Sequence, residues 1–143
     1  MSELNADLVV LTGDIFDENT PLDDMVDASK ALSTIKNKLG IYYVYGNHDN
    51  GSRNFDDVAF GPEEIKENLE KNGITVLEDE VITLDKINII GRKDASFWGN
   101  NPRLATSELL AMIPEDKRDN YTIILDHQPL DLDENAALGI DLQ

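Results

Sequence analysis

The sequence predicts an α/β fold whose mixed, mostly parallel sheet carries a β-hairpin region. Two observations lead there. Short runs of β-branched and aromatic residues alternate with stretches of helical periodicity, the order that produces strand–helix–strand units and parallel pairing. Further on, three apolar runs lie only three and two residues apart, too close for a crossover helix and right for hairpins.

The elements follow in order. Residues 7–12 form a continuously apolar run that reads as a strand buried on both faces, and it stops at Gly13-Asp14. Thr20 as N-cap, Pro21 at the first helical position and Asp23 and Asp24 in the first turn predict a helix over 21–39. Its apolar face carries Leu22, Met25, Leu32, Ile35 and Leu39, with Ser29 as the polar member, and Gly40 ends it. Residues 41–45 are a second strand, stopping at Gly46-Asn47-His48-Asp49. A helix over about 62–72 closes at Gly73, and the runs 74–77, 81–84 and 87–90 are read as antiparallel hairpin strands. Residues 91–103 are irregular, with Trp98 as a packing anchor. A helix near 106–113 leads to the strand 121–125, which stops at Asp126-His127-Gln128-Pro129. A short helix around 133–138 precedes a strand that starts at Ile140.

At 143 residues the chain is the size of one domain, spanning 1–143. It has 12 basic and 29 acidic residues, a net charge of −17 that repels phosphate backbones, so nucleic-acid binding is not expected. The absence of cysteine excludes disulfides and thiolate metal sites, leaving oxygen and imidazole donors for any ion. No apolar run approaches the ~20 residues of a membrane span, and the start lacks a signal-peptide pattern. The segment is therefore expected to be soluble and free of membrane contact, within a parent that is cytoplasmic or membrane-associated.

In a parallel sheet, ligands collect beyond the carboxyl ends of the strands. Here one strand ends in Asp14, another in Asn47 and His48, and a third in His127, so both histidines of the chain lie at strand ends. Each has an ordinary explanation when taken alone: a strand exit, a left-handed turn, a hydrogen-bonded surface histidine. Agreement among all of them favours chemistry. A carboxylate can bridge two cations, and an amide oxygen with a neutral imidazole completes a shell suited to manganese, zinc or iron rather than calcium. Two such ions about 3.5–4 Å apart can clamp a phosphoryl group and activate water. His48, beside them, could donate a proton to the leaving oxygen or a hydrogen bond to the phosphoryl oxygens.

Leu11-Thr12-Gly13-Asp14-Ile15-Phe16-Asp17, then Tyr45-Gly46-Asn47-His48-Asp49, resemble the G-D and G-N-H-D blocks of the calcineurin-like metallophosphoesterases. Leu125-Asp126-His127-Gln128-Pro129 is similar to that family's next block, and 136–143 look like the approach to its last one, especially in a bacterial, often membrane-tethered branch. The resemblance implies a two-sheet sandwich flanked by helices. It makes Asp14 a bridging metal ligand and Asn47 and His127 ligands of the second metal. His48 becomes the catalytic histidine, and Asp49 the residue that orients it. It also implies that this chain is a central, truncated piece of the domain, lacking an N-terminal D-x-H and a C-terminal G-H-x-H block. The expected function is two-metal hydrolysis of phosphomonoesters or phosphodiesters by the intact parent, with manganese, iron or zinc. The isolated chain would then be close to inactive and prone to self-association through an exposed strand edge. The rival expectation is a non-catalytic remnant that holds one ion or works as a protein-interaction module.

Overall fold

The computed structural model describes residues 5–49, 59–96 and 102–143. The first sheet contains β1 (Val9–Leu11), β2 (Ile41–Tyr43) and β3 (Ile74–Val76), parallel and side by side in chain order. Helices α1 (Leu22–Ser33) and α2 (Pro62–Lys71) are the crossovers between them. The second sheet contains β4 (Glu80–Thr83), β5 (Ile87–Gly91) and β6 (Tyr121–Leu125). Here β4 and β5 are an antiparallel hairpin, and β6 returns parallel to β5 after α3 (Thr106–Ala111). A last helix, α4 (Leu132–Ala137), leads to a parallel bridge between Leu142 and Ile123 on the outer side of β6.

Strand alternation sorts the core into layers. Ile41, Tyr43 and Tyr45 pack with Met25, Ile65 and Leu69 under α1 and α2. Their neighbours Tyr42 and Val44 pack instead with Leu77, Ile89 and Leu125, which places the second sheet against the other face of the first. Ile90 and Ile124, on the far face of the second sheet, meet Leu109 and Ile113 around α3. The result is helices, sheet, sheet and helix: the sandwich flanked by helices that the sequence resemblance implied.

Several boundaries differ from expectation for physical reasons. Helix α1 stops at Ser33, not residue 39, because Ser33 and Thr34 turn their hydroxyls onto the carbonyls of Lys30 and Ala31 (both 2.7 Å). The chain then folds back so that Lys38 and Leu39 donate their N–H groups to the Asp7 carbonyl. Thr20 is not the N-cap, since its hydroxyl bonds Asp17 and Pro21 takes the position. The 74–77 run is not a hairpin strand. It completes a β2–α2–β3 crossover and so pairs in parallel with β2, while 77–79 carry the chain to the other sheet. Strand β1 is less buried than its run of apolar residues suggests. Only β2 flanks it among the described residues, and Val10 is 40% exposed. Trp98 lies outside the described residues.

Candidate active site

The ends of β1, β2 and β6 meet where the carboxyl edges of the two sheets come together. The first contribution is a backbone one. Gly13 and Asp14 both hold left-handed conformations, with φ of 85° and 52°. Such a φ is uncommon for a residue with a side chain and marks a site where surrounding structure fixes the backbone. The fixing partner is Gly46, at the exit of β2. A Cβ on Gly13 would run into the Gly46 backbone, and a Cβ on Gly46 would collide with the Asp14 carboxylate. Two bare backbones are therefore pressed together, and the Asp14 side chain occupies space that any other residue at 46 would fill.

Asp49 holds this contact closed. It is 3% exposed, and its two carboxylate oxygens accept the Ile15 N–H (3.0 Å) and the Gly46 N–H (2.6 Å), one from each loop. Burial pushes its carboxyl above the usual range, against the opposing pull of those bonds. Beneath it, burial raises the Tyr43 hydroxyl well above its ordinary value, and the nearby Asp49 charge adds to the effect. The described hydrogen bonds of Asp49 thus run to backbone donors of the two loops. The carboxylate facing the His48 ring is Glu18, with Oε2 2.9 Å from Nδ1.

Asp14 and Asn47 then converge on His127. The backbone N–H of His48 donates to Asp14 Oδ1 (3.0 Å). Asp14 Oδ2 lies 3.3 Å from His127 Nε2, and Asn47 Oδ1 lies 3.2 Å from the same atom. His127 Nδ1 is 2.7 Å from the Thr12 carbonyl. A carbonyl only accepts, so Nδ1 carries a proton, and Nε2 is the nitrogen that faces the two oxygens. One of these is a carboxylate oxygen and the other, in the amide orientation with Oδ1 inward, an amide oxygen. Protonating Nε2 or placing a cation among them would satisfy the set. The donors suit an ion: carboxylate, amide oxygen and imidazole form a mixed oxygen/nitrogen shell. Donor atoms around one ion with bonds of about 2.0–2.2 Å sit roughly 3.0–3.4 Å apart, the range of the 3.2 and 3.3 Å separations found. Among the described residues no group of three or more His, Cys, Asp and Glu is arranged to hold an ion, and this set reaches three donors only by counting the amide.

Next to His127, Asp126 belongs to a separate cluster. Its fully buried carboxylate meets Arg92 Nη1 (3.3 Å) and Arg103 Nη1 (3.1 Å), and both arginines also reach Asp131 (2.8 Å each). Burial pushes Asp126 up despite the two guanidinium groups, while the bond from Arg92 holds Asp131 below the usual range. This network anchors the exit of β6 that carries His127. Sequence reasoning left Asp126 without a role and missed Glu18 and the Thr12 carbonyl entirely. Glu18 had one available signal, its position four residues after Asp14 in the same loop. A backbone carbonyl has none.

A family model described as calcineurin-like phosphoesterase matches residues 1–142. Among curated proteins, the chain is similar to an uncharacterized metallophosphoesterase, YkoQ, of Bacillus subtilis (strain 168), with 28% identity over 127 residues. The match covers 86% of this chain and 42% of that relative, so the chain spans less than half the length of the curated protein it matches. No helix of the described residues is long and apolar enough to cross a membrane.

Proposed function

The chain belongs to the calcineurin-like phosphoesterase family, and from that premise we propose that it carries part of the catalytic centre of a metal-dependent phosphate-ester hydrolase. Members of this family generally use divalent metal ions. The observation that carries the reading is the convergence of His127 Nε2 with Asp14 Oδ2 and Asn47 Oδ1, from three separate strand ends. Asp14, Asn47 and His127 are the proposed ligands, with Asp14 placed to bridge. The proposed complement in the intact enzyme is two ions of manganese, iron or zinc, and the substrates are phosphomonoesters or phosphodiesters.

A bound ion supplies Lewis acidity toward a phosphoryl oxygen and lowers the pKa of water. Everything else is done by the chain. Asp49 staples the Asp14 loop to the Asn47 loop, so the two ligands keep a fixed separation. The Thr12 carbonyl keeps His127 Nε2 turned to the ligand side.

Calorimetric titration of the 143-residue chain with manganese tests this directly. Binding of one ion, weakened in Asp14→Asn and in His127→Ala, is the expected result, and no binding by the folded wild-type chain would overturn the assignment. Three donors do not make a two-ion clamp, so the chain alone is expected to hydrolyse bis(p-nitrophenyl) phosphate far below about 1 per second. Turnover above that rate would refute this part. One bound ion without turnover also fits the second reading, a single-metal or interaction module, which the three-donor count favours. Adding a partner chain that restores turnover would decide for the enzyme.

A further inference from the structure

We propose that Gln128 is a positioning residue for His127, tying the β6 exit to the β5 exit through Asp94. The inference rests on the phosphoesterase reading for its purpose, but on the contacts around the β6 exit for its content.

His127 stands between two tethered neighbours. On one side, Asp126 is held by Arg92 and Arg103. On the other, Gln128 Nε2 donates to Asp94 Oδ1 (3.0 Å) across 34 residues of sequence. Arg92 and Asp94 are alternate residues of one short run that leaves β5. That run is itself fixed: Arg92 donates its N–H to the Leu125 carbonyl (3.0 Å), and the Lys93 N–H is taken by Asp79 Oδ1 (3.0 Å). The β5 exit therefore grips the β6 exit at residues 125, 126 and 128. His127, between the last two, crosses instead to the first sheet, where Nδ1 meets the Thr12 carbonyl (2.7 Å).

Asp94 is a firm anchor for this purpose. It is 3% exposed, and its Oδ2 accepts both the N–H (2.9 Å) and the hydroxyl of Ser96. The other oxygen meets Gln128. A carboxylate accepts and does not donate, so the amide atom turned to it is the NH2 nitrogen. Gln128 is also the last residue that can hold this side of the loop, because Pro129 follows and brings no N–H. A ligand nitrogen is useful only if it is held to the tolerance of a metal–ligand bond, about 0.2 Å. Tethers on both flanking residues supply that restraint to a ring carried on an irregular loop.

The test replaces Gln128 by Met, which keeps an unbranched side chain of similar length but has no N–H to donate. The readout is solvent exchange of the His127 Nδ1 proton in the 15N-labelled, metal-free chain, since the Thr12 carbonyl shields that proton only while the ring stays in place. Exchange is expected to be at least several-fold faster in Gln128→Met. Gln128→Glu, which sets a second carboxylate against Asp94, should show the same change. Ile74→Val serves as the control for stability alone, because Ile74 is buried at the opposite, amino end of β3, and it should leave the exchange rate as in wild type. Manganese affinity, read by calorimetry, should fall by about 10-fold or more in the Gln128 variants, the usual cost of losing a supporting contact. Wild-type exchange in both Gln128 variants, or equal acceleration in Ile74→Val, would overturn the assignment. The metal reading fails separately. A wild-type chain that binds no manganese while Gln128→Met still accelerates exchange would remove that reading and leave the role of Gln128 standing.

Discussion

Asp126 and His127 are neighbours in the chain, yet they belong to polar clusters of opposite kind. Around Asp126 the account balances: two guanidinium groups face two carboxylates, Asp126 and Asp131, and charge cancels within the group. Around His127 no second cationic side chain enters: a carboxylate and an amide oxygen face one imidazole nitrogen. Balanced polar clusters are architecture, because a buried charge survives only when paired. The cluster at the strand ends has no such pairing within itself. Hydrogen bonding is incomplete in the balanced cluster too, where buried Arg92 Nε has no partner among the described residues, so the contrast between the two lies in charge rather than in burial or in bond count.

Breaking the balanced cluster should have the largest effect. Asp126→Asn leaves Arg92, itself 4% exposed, and Arg103 with Asp131 as their only full negative charge. Removing one partner of a buried pair costs about 3–5 kcal/mol, and urea unfolding is expected to show a loss in that range. The opposite substitution, Asp14→Asn, should do little to stability or raise it slightly, since it relieves like-facing acceptors. Its manganese affinity should fall by about 100-fold or more, the upper end of what supporting residues alone can cost. A variant that loses both stability and affinity equally in each case would erase the distinction between the clusters.

Acidity offers a finer test. Asp131 is held below the ordinary value of 3.8 by Arg92, so the folded chain binds fewer protons there than the unfolded one. Its stabilising contribution is present above pH 3.8 and is lost as pH falls through the lowered value. Asp126, raised by burial, has the opposite sign, contributing less as pH rises through its own value. Asp131→Asn is therefore expected to flatten the loss of stability between about pH 4 and 2, read from urea midpoints across pH. A steeper acid limb in that variant would show the sign to be wrong.

The smallest expected effect concerns the other side of the site, where β1 has one unpaired edge among the described residues. Val10 is exposed there, and neither lysine nor proline interrupts the strand. Edges of this kind template pairing with a second copy. Weak self-association is expected in sedimentation at micromolar concentration, and Val10→Lys should reduce it a few-fold at most. A wild-type chain that is strictly monomeric under those conditions would remove the prediction.

Much of this was legible in the sequence, for identifiable reasons. Strand β6 and helix α2 stand close to where local composition puts them, because a β-branched run and a Pro-started, Gly-ended helix are strong local signals. The meeting of Asp14 and Asn47 was legible because both come shortly after neighbouring parallel strands, whereas His127 arrives from the second sheet, whose placement against the first the strand-end rule did not supply. Pairing partners were less legible. Residues 74–77 have the composition of a hairpin strand, and only the preceding crossover helix makes them parallel. The end of α1 was hidden because hydroxyl-to-carbonyl bonds at Ser33 and Thr34, not apolar spacing, decide it. The Glu18–His48 contact was hidden for a similar reason. Which carboxylate reaches an imidazole depends on side-chain direction, which spacing along the chain does not encode.

The two histidines also differ in what substitution can do to them. The His48 ring meets a side chain, Glu18, so a single codon change at position 18 can remove that contact. His127 is oriented by the main-chain oxygen of Thr12, which every amino acid at position 12 supplies. Drift at that position can alter the surroundings of the ring but cannot delete its partner. The Thr12 contact of His127 is in this sense inherited from the path of the backbone, while the Glu18 contact of the rim histidine stays open to selection.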